Sequence, residues 1–584
     1  MKEKLKQLFR TRFSLPFEPK IERVFHSFSP AEKALCVALV ALMIIGTAGL
    51  LLKINGLFLV ERPAFGGTLT EGIVGTPRFI NPLLALSDAD RDLTTLIYSG
   101  LLKATPEGKL IPDLAERFTI SSDGLSYTFY LRTDAVFHDH TPVTADDVLF
   151  TIQRAQDPAL KSPRRANWEG VTAQKLDAHT VALTLKQPYA PFLENTTLGI
   201  LPKHLWENED ADRFPFSPYN TEPVGSGPFA VSRVIKGSSG LPSSIELQAF
   251  KKYAQGSPYL AALTVRFYSN EDELLAAQAR KEIESLDGLT PSAATGLVKK
   301  GESLIRTPLP RVFSVFFNQS QATILAEKEV RQALSLATDR SALVDSVLQG
   351  FGVPVDAPVP PLLFGDDGTH PTPPSREERI KEANALLDKA KWRMNPETGI
   401  REKLKGKIAV PLSFSLATSN VAELKQSAEM VAEMWKQVGA EVKVEIFEAG
   451  DLNQNVIRPR KFDALLFGEI VGRDRDLFAF WHSSQRNDPG LNISGYANAK
   501  VDKWLDEARK TTDEAKREAD YESALTAIKA DAPAVFLYSP EFMYLLPKKI
   551  HGFTSGTVAT PSERFLDVSH WYSKTKKVWD FFTN

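Results

Sequence analysis

Apolar residues recur along this chain at three different spacings, and the first of them is continuous. Residues 34–52 form a run of nineteen without a single charge. A helix rises about 1.5 Å per residue, so this run approaches the roughly 30 Å hydrocarbon thickness of a membrane. It is also longer than the apolar part of a cleaved signal peptide, which is roughly 7 to 15 residues. The run therefore predicts an uncleaved membrane-spanning helix over residues 34–54 rather than a buried core helix.

Alternating and helical spacings appear in the chain that follows. Residues 127–131 and 181–185 alternate apolar with polar positions, which predicts two half-buried strands. Between them, Thr144 is followed three residues later by Asp147 and then by an apolar helical face. This spacing is an acidic variant of the capping box, and it predicts a helix that begins at Thr144.

The second half of the chain gives a clearer pattern. Apolar positions alternate over residues 408–416 and again over 442–446, and residues 424–438 place apolar side chains on one helical face. Gly439 is positioned to end that helix. A strand, a helix and a strand at this spacing predict a βαβ unit with parallel strands. The apolar run 464–467 predicts another strand of the same sheet, buried on both faces.

Three other segments are distinctive. Residues 330–337 and 501–508 each place apolar side chains on one helical face, which predicts two further helices. Residues 354–374 are rich in proline, which fixes the backbone and removes hydrogen-bond donors. This segment predicts a loop.

Composition and charge narrow the possible partners. Residues 1–33 carry eight Lys or Arg and four Glu, a net charge of +4, which by the positive-inside bias predicts a cytoplasmic tail. The remaining residues carry a net charge of −6, which argues against nucleic acid as a partner. Cys36 is the only cysteine and opens the apolar run, whereas a lipid-modified cysteine would follow it. The exterior part therefore has no disulfide, and its fold depends on core burial.

A candidate binding site follows the predicted strand 464–467, because open α/β sheets bind ligands beyond the carboxyl ends of their strands. The loop 468–476 combines glycines with charged residues, and aromatic residues lie just downstream. The candidates are Glu469, Gly472, Arg473, Asp474, Asp476, Trp481 and Tyr496. Two alternatives stay open: the loop charges pair with one another in solvent, and the aromatic rings belong to the core.

Familiar catalytic motifs are absent from the sequence, including GxSxG, HExxH, GxxxxGK[ST] and any exterior cysteine nucleophile. His138-Asp139-His140 is a weak metal-binding pattern, because two histidines in a polar turn are usually just exposed. Gly225-Ser226-Gly227 lacks the Lys and Ser/Thr of a phosphate loop and predicts a tight turn. We expect no catalytic residues, no metal site and no cofactor, although an active site assembled from distant residues stays open.

Short motifs spread over the chain are together similar to those of one protein family. They are Tyr98-Ser99-Gly100-Leu101-Leu102, Pro112-Asp113-Leu114-Ala115-Glu116, Ser122-Asp123-Gly124, Tyr127-Thr128-Phe129, Phe137-His138-Asp139, Thr144-Ala145-Asp146-Asp147-Val148, Pro223-Val224-Gly225-Ser226-Gly227-Pro228-Phe229, Phe317-Asn318, Val330-Arg331-Gln332-Ala333-Leu334, Asp339-Arg340, Asn492, Ser494-Gly495-Tyr496 and Asp502. In this order the chain from Gly66 to Phe553 resembles the bacterial extracellular solute-binding proteins of family 5, the peptide- and nickel-binding components of ABC importers.

The resemblance implies an α/β fold of the periplasmic-binding-protein type, type II, in its large peptide-binding subclass, preceded by one transmembrane helix. It implies two lobes that close on a ligand, with the chain crossing between them near 305–311 and near 531–538. The implied organisation is a cytoplasmic basic tail 1–33, an anchor helix 34–54, a connector 55–65, lobe I from 66–307, lobe II from 308–534 and a return to lobe I over 535–584.

The resemblance also brings expectations about the site. The family's peptide binders hold the ligand's α-ammonium with an aspartate in the loop after a lobe II strand, and here Gly472 stands at or beside that position. Asp474 or Glu469 could substitute, and we expect Asp474→Ala to weaken binding by about 1.5 to 3 kcal/mol. Asn318 completes the predicted ligand-binding set. His140 replaces the family's usual glycine and is expected to alter only a hairpin turn.

The function that the resemblance implies is capture of peptides, or of a related small solute, for the permease subunits of an ABC importer. The expected protein is a monomer that binds no nucleic acid, is held by a single N-terminal helix, and has most of its chain in the periplasm or outside the cell. One alternative is a ligand sensor or scaffold that uses the same fold. Others are a binder of a non-peptide solute such as a metal chelate and, least favoured, a surface hydrolase.

Overall fold

A computed structural model describes residues 27–238, 240–360, 374–472, 476–556 and 558–579 of the chain. The chain separates into two compact units, one formed by Met1–Ala64 with Lys574–Asn584 and the other by Phe65–Ser573. The first unit contains the apolar helix, and the second contains the main sheets and the hydrophobic cores. The two units are described separately below.

The first unit begins with helix α1, Pro30–Leu57. Ser29 caps it, and the Glu32 carboxylate accepts a hydrogen bond from the Ser29 backbone N–H at 2.8 Å, which completes a capping box. Residues Pro30–Asn55 have a mean hydropathy of 2.7 and none of them is buried, so the helix is long and apolar enough to cross a membrane. It extends beyond the predicted 34–54 at both ends.

The first unit also contains two paired strands. One of them lies within residues 55–65, where the sequence predicted only a connector. Strand β1, Leu59–Ala64, pairs antiparallel with the last described strand, Lys574–Trp579, over six residue pairs. The predicted return segment 535–584 is therefore divided, because its last strand belongs to the unit of the apolar helix. The local pattern could not indicate this, since the pairing partner of β1 lies more than 500 residues away.

The second unit contains ten helices of eight or more residues among its described residues. In chain order they are α2 Asp88–Ile97, α3 Ala145–Gln156, α4 Glu271–Ala279, α5 Pro291–Lys299, α6 Lys328–Ala337, α7 Arg340–Val347, α8 Arg376–Lys389, α9 Ala422–Lys436, α10 Ala499–Lys510 and α11 Glu514–Asp531. Shorter helical turns are Arg165–Trp168, Phe192–Asn195, Lys203–Trp206, Phe214–Phe216, Pro218–Asn220, Ala449–Asp451, Leu452–Ile457, Phe478–Trp481, Ser483–Gln485, Pro561–Phe565 and Val568–His570. Helices α3, α6, α9 and α10 confirm the helices predicted from apolar spacing.

The strands of the second unit, also in chain order, form one large sheet and three small ones. They are β2 Thr68–Val74, β3 Leu102–Ala104, β4 Leu110–Pro112, β5 Ala115–Ile120, β6 Ser126–Leu131, β7 Thr172–Asp177, β8 Thr180–Thr184, β9 Phe229–Lys236, β10 Pro242–Ala249, β11 Ala262–Tyr268, β12 Ser285–Leu286, β13 Leu304–Pro308, β14 Arg311–Phe317, β15 Gly352–Pro354, β16 Arg393–Met394, β17 Arg401–Lys405, β18 Ile408–Pro411, β19 Ser413–Ser419, β20 Glu441–Phe447, β21 Ala464–Ile470 and β22 Ala534–Leu545; the strand of the first unit, Lys574–Trp579, is β23. Strands β6 and β8 confirm the two strands predicted in the first half.

The large sheet has the strand order β20-β19-β21-β14-β22-β12-β2-β11-β10-β9, with β13 and β15 also pairing to β22. Strand β22 lies in the middle of this order and pairs with strands on both sides. Its residues up to Tyr538 pair with β14, and its residues from Glu541 pair with β13. Near Leu309 the two crossing segments bond directly, because the Leu309 N–H donates to the Pro540 carbonyl at 3.0 Å and the Ser539 hydroxyl donates to the Leu309 carbonyl at 2.6 Å.

The hydrophobic cores also fall into two sets, one on each side of the crossing segments. One core draws on residues 69–265 and 542–571 together with Leu309. Two others lie among residues 312–538, one on each face of the β19-β21-β14 part of the sheet. Two sets of core residues joined by paired strands are the two lobes that the resemblance implied, and lobe I and lobe II are used below for these two sets.

The predicted βαβ unit in lobe II is confirmed with one correction. Strand β19, helix α9 and strand β20 form the unit, β19 and β20 are parallel, and Gly439 follows the helix with a φ of 82°. The predicted single strand 408–416 is wrong, because the segment forms two strands. Strand β18 belongs to a small three-stranded sheet with β16 and β17, and only β19 joins the large sheet. Of the predicted loop 354–374, residues 361–373 lie outside the described residues.

Charges are buried deep inside lobe I. The Arg564 guanidinium bonds to Glu71 at 3.0 Å, to Asp92 at 2.7 Å and to Asp287 at 3.1 Å. Burial raises the pKa of each carboxyl, and the charge of Arg564 counteracts this in part. Through these bonds Arg564 links α2, β2 and the segment after β12 to the chain that returns from β22.

We expect Arg564→Met to lower the free energy of unfolding by about 3 to 5 kcal/mol, because it leaves three buried carboxyls without their cation. Chemical denaturation followed by circular dichroism measures the change. The control is Arg280→Met, which removes an exposed pair with Glu282 and is expected to change the free energy of unfolding far less. Equal effects of the two changes would contradict the structural role of the Arg564 cluster.

Candidate functional site

The carboxyl end of strand β21 in lobe II leads directly to a cavity. Strands β19 and β20 are parallel, and β21 runs parallel to β19, so all three end at the same edge of the sheet. The chain after β21 reaches the cavity wall with Ile470 and Gly472. Gly472 has a φ of 78°, a conformation that favours glycine and turns the chain away from the strand.

The cavity has a volume of about 590 Å³, and most of its wall belongs to lobe I. The lobe I residues come from α2, from the chain around β3 and β4, from the turns 165–168 and 192–195, and from residues 559–569. This size is within the roughly 300–1,000 Å³ typical of sites for small ligands. The wall therefore joins residues that are up to 487 positions apart in the chain.

One face of helix α2 forms part of the wall. Arg91, Thr94, Thr95 and Tyr98 line the cavity at spacings of three and four residues, which places them on one side of the helix. The opposite face is buried through Leu93, Leu96 and Ile97. Ser87 caps the helix by accepting the Asp90 N–H at 3.1 Å. The polar face at helical spacing is a signal that sequence analysis could have used but did not.

Three guanidinium groups converge near this face. Arg91 and Arg164 line the cavity, and Arg311 pairs in the sheet directly opposite Ile470, so both side chains are on the same face. Arg311 Nε is buried and has no hydrogen-bond partner among the described residues. Burial lowers the pKa of Arg164 and of Arg311, and the positive charge of Arg91 lowers both pKa values further.

Among the described residues, which exclude Asp474, few carboxylates balance these cations. The charge of Asp88 raises the pKa of Arg311, and Asp88 lies 3.7 Å from Arg91 with 60% of its side chain exposed. Glu194 and Glu563 also line the cavity, but neither is without a partner of its own. The part of the wall around Arg91 and Arg164, next to the Ile470 that pairs with Arg311, is therefore suited to an anionic group of a ligand.

A second polar group lies in the wall where β3 and β4 pair. Lys103 Nζ donates to the Tyr253 hydroxyl at 3.5 Å, and the Gln255 amide donates to the Asp113 carboxylate at 3.4 Å. Burial lowers the pKa of Lys103, and the charge of Asp113 counteracts this. Burial raises the pKa of Asp113, and the charge of Lys103 counteracts that. The charge of each group thus offsets in part the effect of burial on the other.

Of the residues predicted as ligand contacts, Gly472 lies on the cavity wall. Arg473 and Asp474 lie outside the described residues. Glu469 is 1% exposed and points from β21 into the lobe II core, where neither carboxylate oxygen has a hydrogen-bond partner among the described residues. Burial raises the pKa of Glu469 well above its ordinary 4.5, and Trp481 lowers it in part. Its surroundings therefore favour the neutral form of the carboxyl.

Asp476 holds another side chain rather than facing the cavity. Its carboxylate accepts two hydrogen bonds from Arg509 Nε and Nη2 at 2.8 and 2.5 Å. The Arg509 guanidinium lies 3.8 Å from the Phe478 ring centroid and 5.4 Å from that of Tyr189 in lobe I. The Arg509 carbonyl accepts the Ala190 N–H at 2.8 Å. Asp476 thus positions the lobe II residue that contacts lobe I.

The remaining predicted residues have structural contacts. Trp481 is fully buried, with its ring centroid 6.0 Å from that of Phe316. Tyr496 is 5% exposed, and its hydroxyl donates to Asp531 at 2.7 Å. Asn318 donates to the Arg460 carbonyl at 2.8 Å. For these aromatic residues the structure agrees with the alternative that they belong to the core, and their role in ligand binding stays a prediction.

Two motifs of the first lobe are also structural. His138 uses both ring nitrogens, because Nδ1 accepts the Gly225 N–H at 3.3 Å and Nε2 donates to the Gly227 carbonyl at 3.1 Å. Burial lowers its pKa to about 4. A Cβ on Gly225 would lie 2.1 Å from the Ile97 carbonyl oxygen, so the two glycines allow close packing on the end of α2. No group of three or more metal-binding side chains occurs among the described residues.

A two-lobed α/β fold with crossing strands and a cavity at the carboxyl edge of the lobe II sheet is characteristic of solute-binding proteins. The profile of bacterial extracellular solute-binding proteins, family 5 Middle, matches residues 109–489. The chain belongs to this family, which confirms the resemblance seen in the sequence. The family is one of binding proteins rather than enzymes.

Relatives cover nearly the whole chain. The oligopeptide-binding protein AppA of Bacillus subtilis (strain 168) is 30% identical over 518 residues, which cover 88% of this chain and 92% of AppA. The structure of AppA in complex with a nonapeptide gives a TM-score of 0.65 at 28% identity over 88% of this chain and 99% of that one. The structure of NikZ from Campylobacter jejuni in complex with Ni(L-His) gives 0.66 at 25% identity over 86% and 99%.

We expect Glu469→Gln to change how stability depends on pH. A carboxyl whose pKa is raised on folding stabilises the fold below its ordinary pKa, and this contribution is lost as pH rises towards the folded value. The variant should therefore gain thermal stability relative to the parent as pH rises from about 5 to about 8. Differential scanning calorimetry at several pH values measures this. Glu397→Gln, at an exposed position, is the control; parallel pH profiles for parent and Glu469→Gln would contradict the prediction.

Proposed function

We propose that this protein captures peptides outside the cytoplasm and delivers them, as a monomer, to the permease subunits of an ABC importer. The observation that carries the proposal is the cavity at the carboxyl edge of the lobe II sheet in a chain of this family. AppA, which is similar over most of its length, binds oligopeptides, as its name and its nonapeptide complex state. We further propose that lobe I comprises residues 66–307 with the return from 535, and that lobe II comprises 308–534.

The charges of the wall favour a defined orientation of the peptide. Arg91 and Arg164 line the wall, and Arg311 is close enough for the charge of Arg91 to lower its pKa. A peptide's terminal carboxylate is the anion that every linear peptide carries. Hydrogen bonds between guanidinium and carboxylate are strong and directional, because they are assisted by charge and can be bidentate. We propose that the carboxyl end of the peptide binds at these arginines.

Closure of the lobes also involves a contact between them near the cavity. Arg509, held by Asp476, contacts Tyr189 and Ala190 of lobe I. The two crossing segments are hydrogen-bonded to each other near Leu309 and Ser539, and we propose that they bend there while the lobes stay intact. A ligand that contacts both lobes stabilises the closed form by its greater affinity for that form, and the importer would recognise it.

The first test identifies the ligand and then its orientation. Small molecules released by denaturing the purified protein are identified by mass spectrometry, and a synthetic peptide of the same sequence is titrated by calorimetry. We expect Arg164→Gln to weaken binding of the free-acid peptide by about 1.5 to 3 kcal/mol, as for loss of a charged hydrogen bond. The amidated peptide, which lacks the carboxylate, should show no such loss on substitution.

Arg165→Gln is the matched control, because it removes the same charge from the next residue, which is exposed and does not line the cavity. Equal losses for Arg164→Gln and Arg165→Gln would contradict the orientation but not peptide binding. Release of a metal chelate or of another non-peptide solute would contradict the peptide itself. Hydrolysis of the added peptide would contradict a purely binding role and would support the alternative of a surface hydrolase.

We also propose that α1 anchors the protein in the membrane with its N-terminus in the cytoplasm. Leu42→Arg combined with Ile45→Arg puts two charges in the middle of the helix, where each costs about 2.5 to 3.5 kcal/mol. We expect the doubly substituted chain to leave the membrane fraction. The control places two arginines at Leu404 and Ile408, which are 70% and 71% exposed in lobe II. Mature protein that lacks peptides from residues 30–57 would show cleavage and contradict the anchor.

A further inference from the structure

The strand that follows the apolar helix pairs with the last described strand of the chain. Strand β1 begins two residues after α1 ends, and its partner β23 is the last described element. Leu59 pairs with Trp579 at the end next to the helix, and Ala64 pairs with Lys574 at the other end. We name this pair of strands, Leu59–Ala64 with Lys574–Trp579, the juxtamembrane ribbon.

The two faces of the ribbon differ in charge. Residues that pair directly share a face, and successive pairs alternate between faces. One face carries Val60, Arg62, Ala64, Lys574, Lys576 and Val578, and the other carries Leu59, Glu61, Pro63, Thr575, Lys577 and Trp579. The first face therefore has three cations and no anion, whereas on the second Glu61 lies opposite Lys577.

The cations of the first face are available to a partner. Arg62, Lys574 and Lys576 are exposed, and none of the three forms an ion pair within the described residues 27–238, 240–360, 374–472, 476–556 and 558–579. Lys574 and Lys576 alternate with Thr575, so the strand places both charges on the same side. A face with three exposed cations and only small apolar neighbours attracts an anionic surface.

The end of the ribbon nearest the helix has the composition of a membrane interface. The apolar run ends at Leu52 and Lys53 follows, so Phe58 is about 9 Å beyond the hydrocarbon edge at 1.5 Å per residue. Phe58 and Trp579 are 57% and 49% exposed, and their ring centroids are 6.5 Å apart. An exposed aromatic ring such as that of Phe58 at this level is typical of the headgroup region, and Lys53 can extend its ammonium to the same level.

We propose that the cationic face of the juxtamembrane ribbon binds the anionic phospholipid headgroups of the membrane in which α1 is anchored. The proposal rests on the anchor proposed above. Arg62 and Lys576, which pair with each other, are three residues beyond Leu59, about 10 Å along the strands, which is close to the roughly 8 Å screening length at physiological salt. The ribbon then lies along the membrane surface with this face toward the headgroups.

The test uses the natural lysines of the full chain in lipid nanodiscs. Phosphatidylcholine discs are compared with discs that contain phosphatidylglycerol, and the rate of lysine acetylation is measured at each position by mass spectrometry. We expect Lys574 and Lys576 to be acetylated at least threefold more slowly in the anionic discs, and Lys577 on the other face to change less. High salt should restore both rates, because it screens the attraction. Equal rates in the two kinds of disc would overturn the proposal.

A pair of variants in one strand tests the face. Arg62→Gln removes a cation from the cationic face and should reduce the protection of Lys574 and Lys576, whereas Glu61→Gln, on the other face, should leave it intact. Equal protection of Lys577, or equal effects of the two variants, would overturn the assignment of the face. Failure of the anchor is seen separately, because the protein would then no longer elute with the discs. A failure of peptide binding would leave the acetylation pattern unchanged.

Discussion

Strand β22 is the constraint on which the lobes of this protein depend. One extended segment of twelve residues pairs with β14 of lobe II at one end and with β13 and β12 next to lobe I at the other. Its interior is buried along most of its length, and at Ser539 it bonds to the second crossing segment. In the closure proposed above, bending at this point would change the opening of the cavity without unpairing either part of the sheet.

Lobe I resists deformation for a different reason. The guanidinium of Arg564 ties the returning chain to α2, and α2 together with residues 559–569 forms part of the cavity wall. A buried cation with three carboxyl partners is costly to separate, because each charge would be left without compensation in a dry interior. The polar face of α2 is thereby fixed relative to the cavity before any ligand binds, and a preorganised wall loses less entropy when the ligand arrives.

The sequence located the candidate site only in part. It predicted the loop after β21 from the topology of parallel strands, and Gly472 lies on the cavity wall there. It did not point to Arg91, Arg164 or Lys103, because these residues meet only through the packing of distant segments. Asp476 is instructive in this respect. Its position in the loop suggested a ligand contact, whereas its contact with Arg509 makes it part of the link between lobes.

The sequence by itself determined the apolar helix, the βαβ unit, the capped helix at Thr144 and, through ordered motifs, the family, because these depend on local periodicity and short spacings. Only the tertiary structure decided that β18 leaves the predicted strand, that Glu469 faces the core, and that β1 pairs with the end of the chain. Each of these depends on which distant segment packs alongside, and an alternating pattern is the same whichever partner fills its faces.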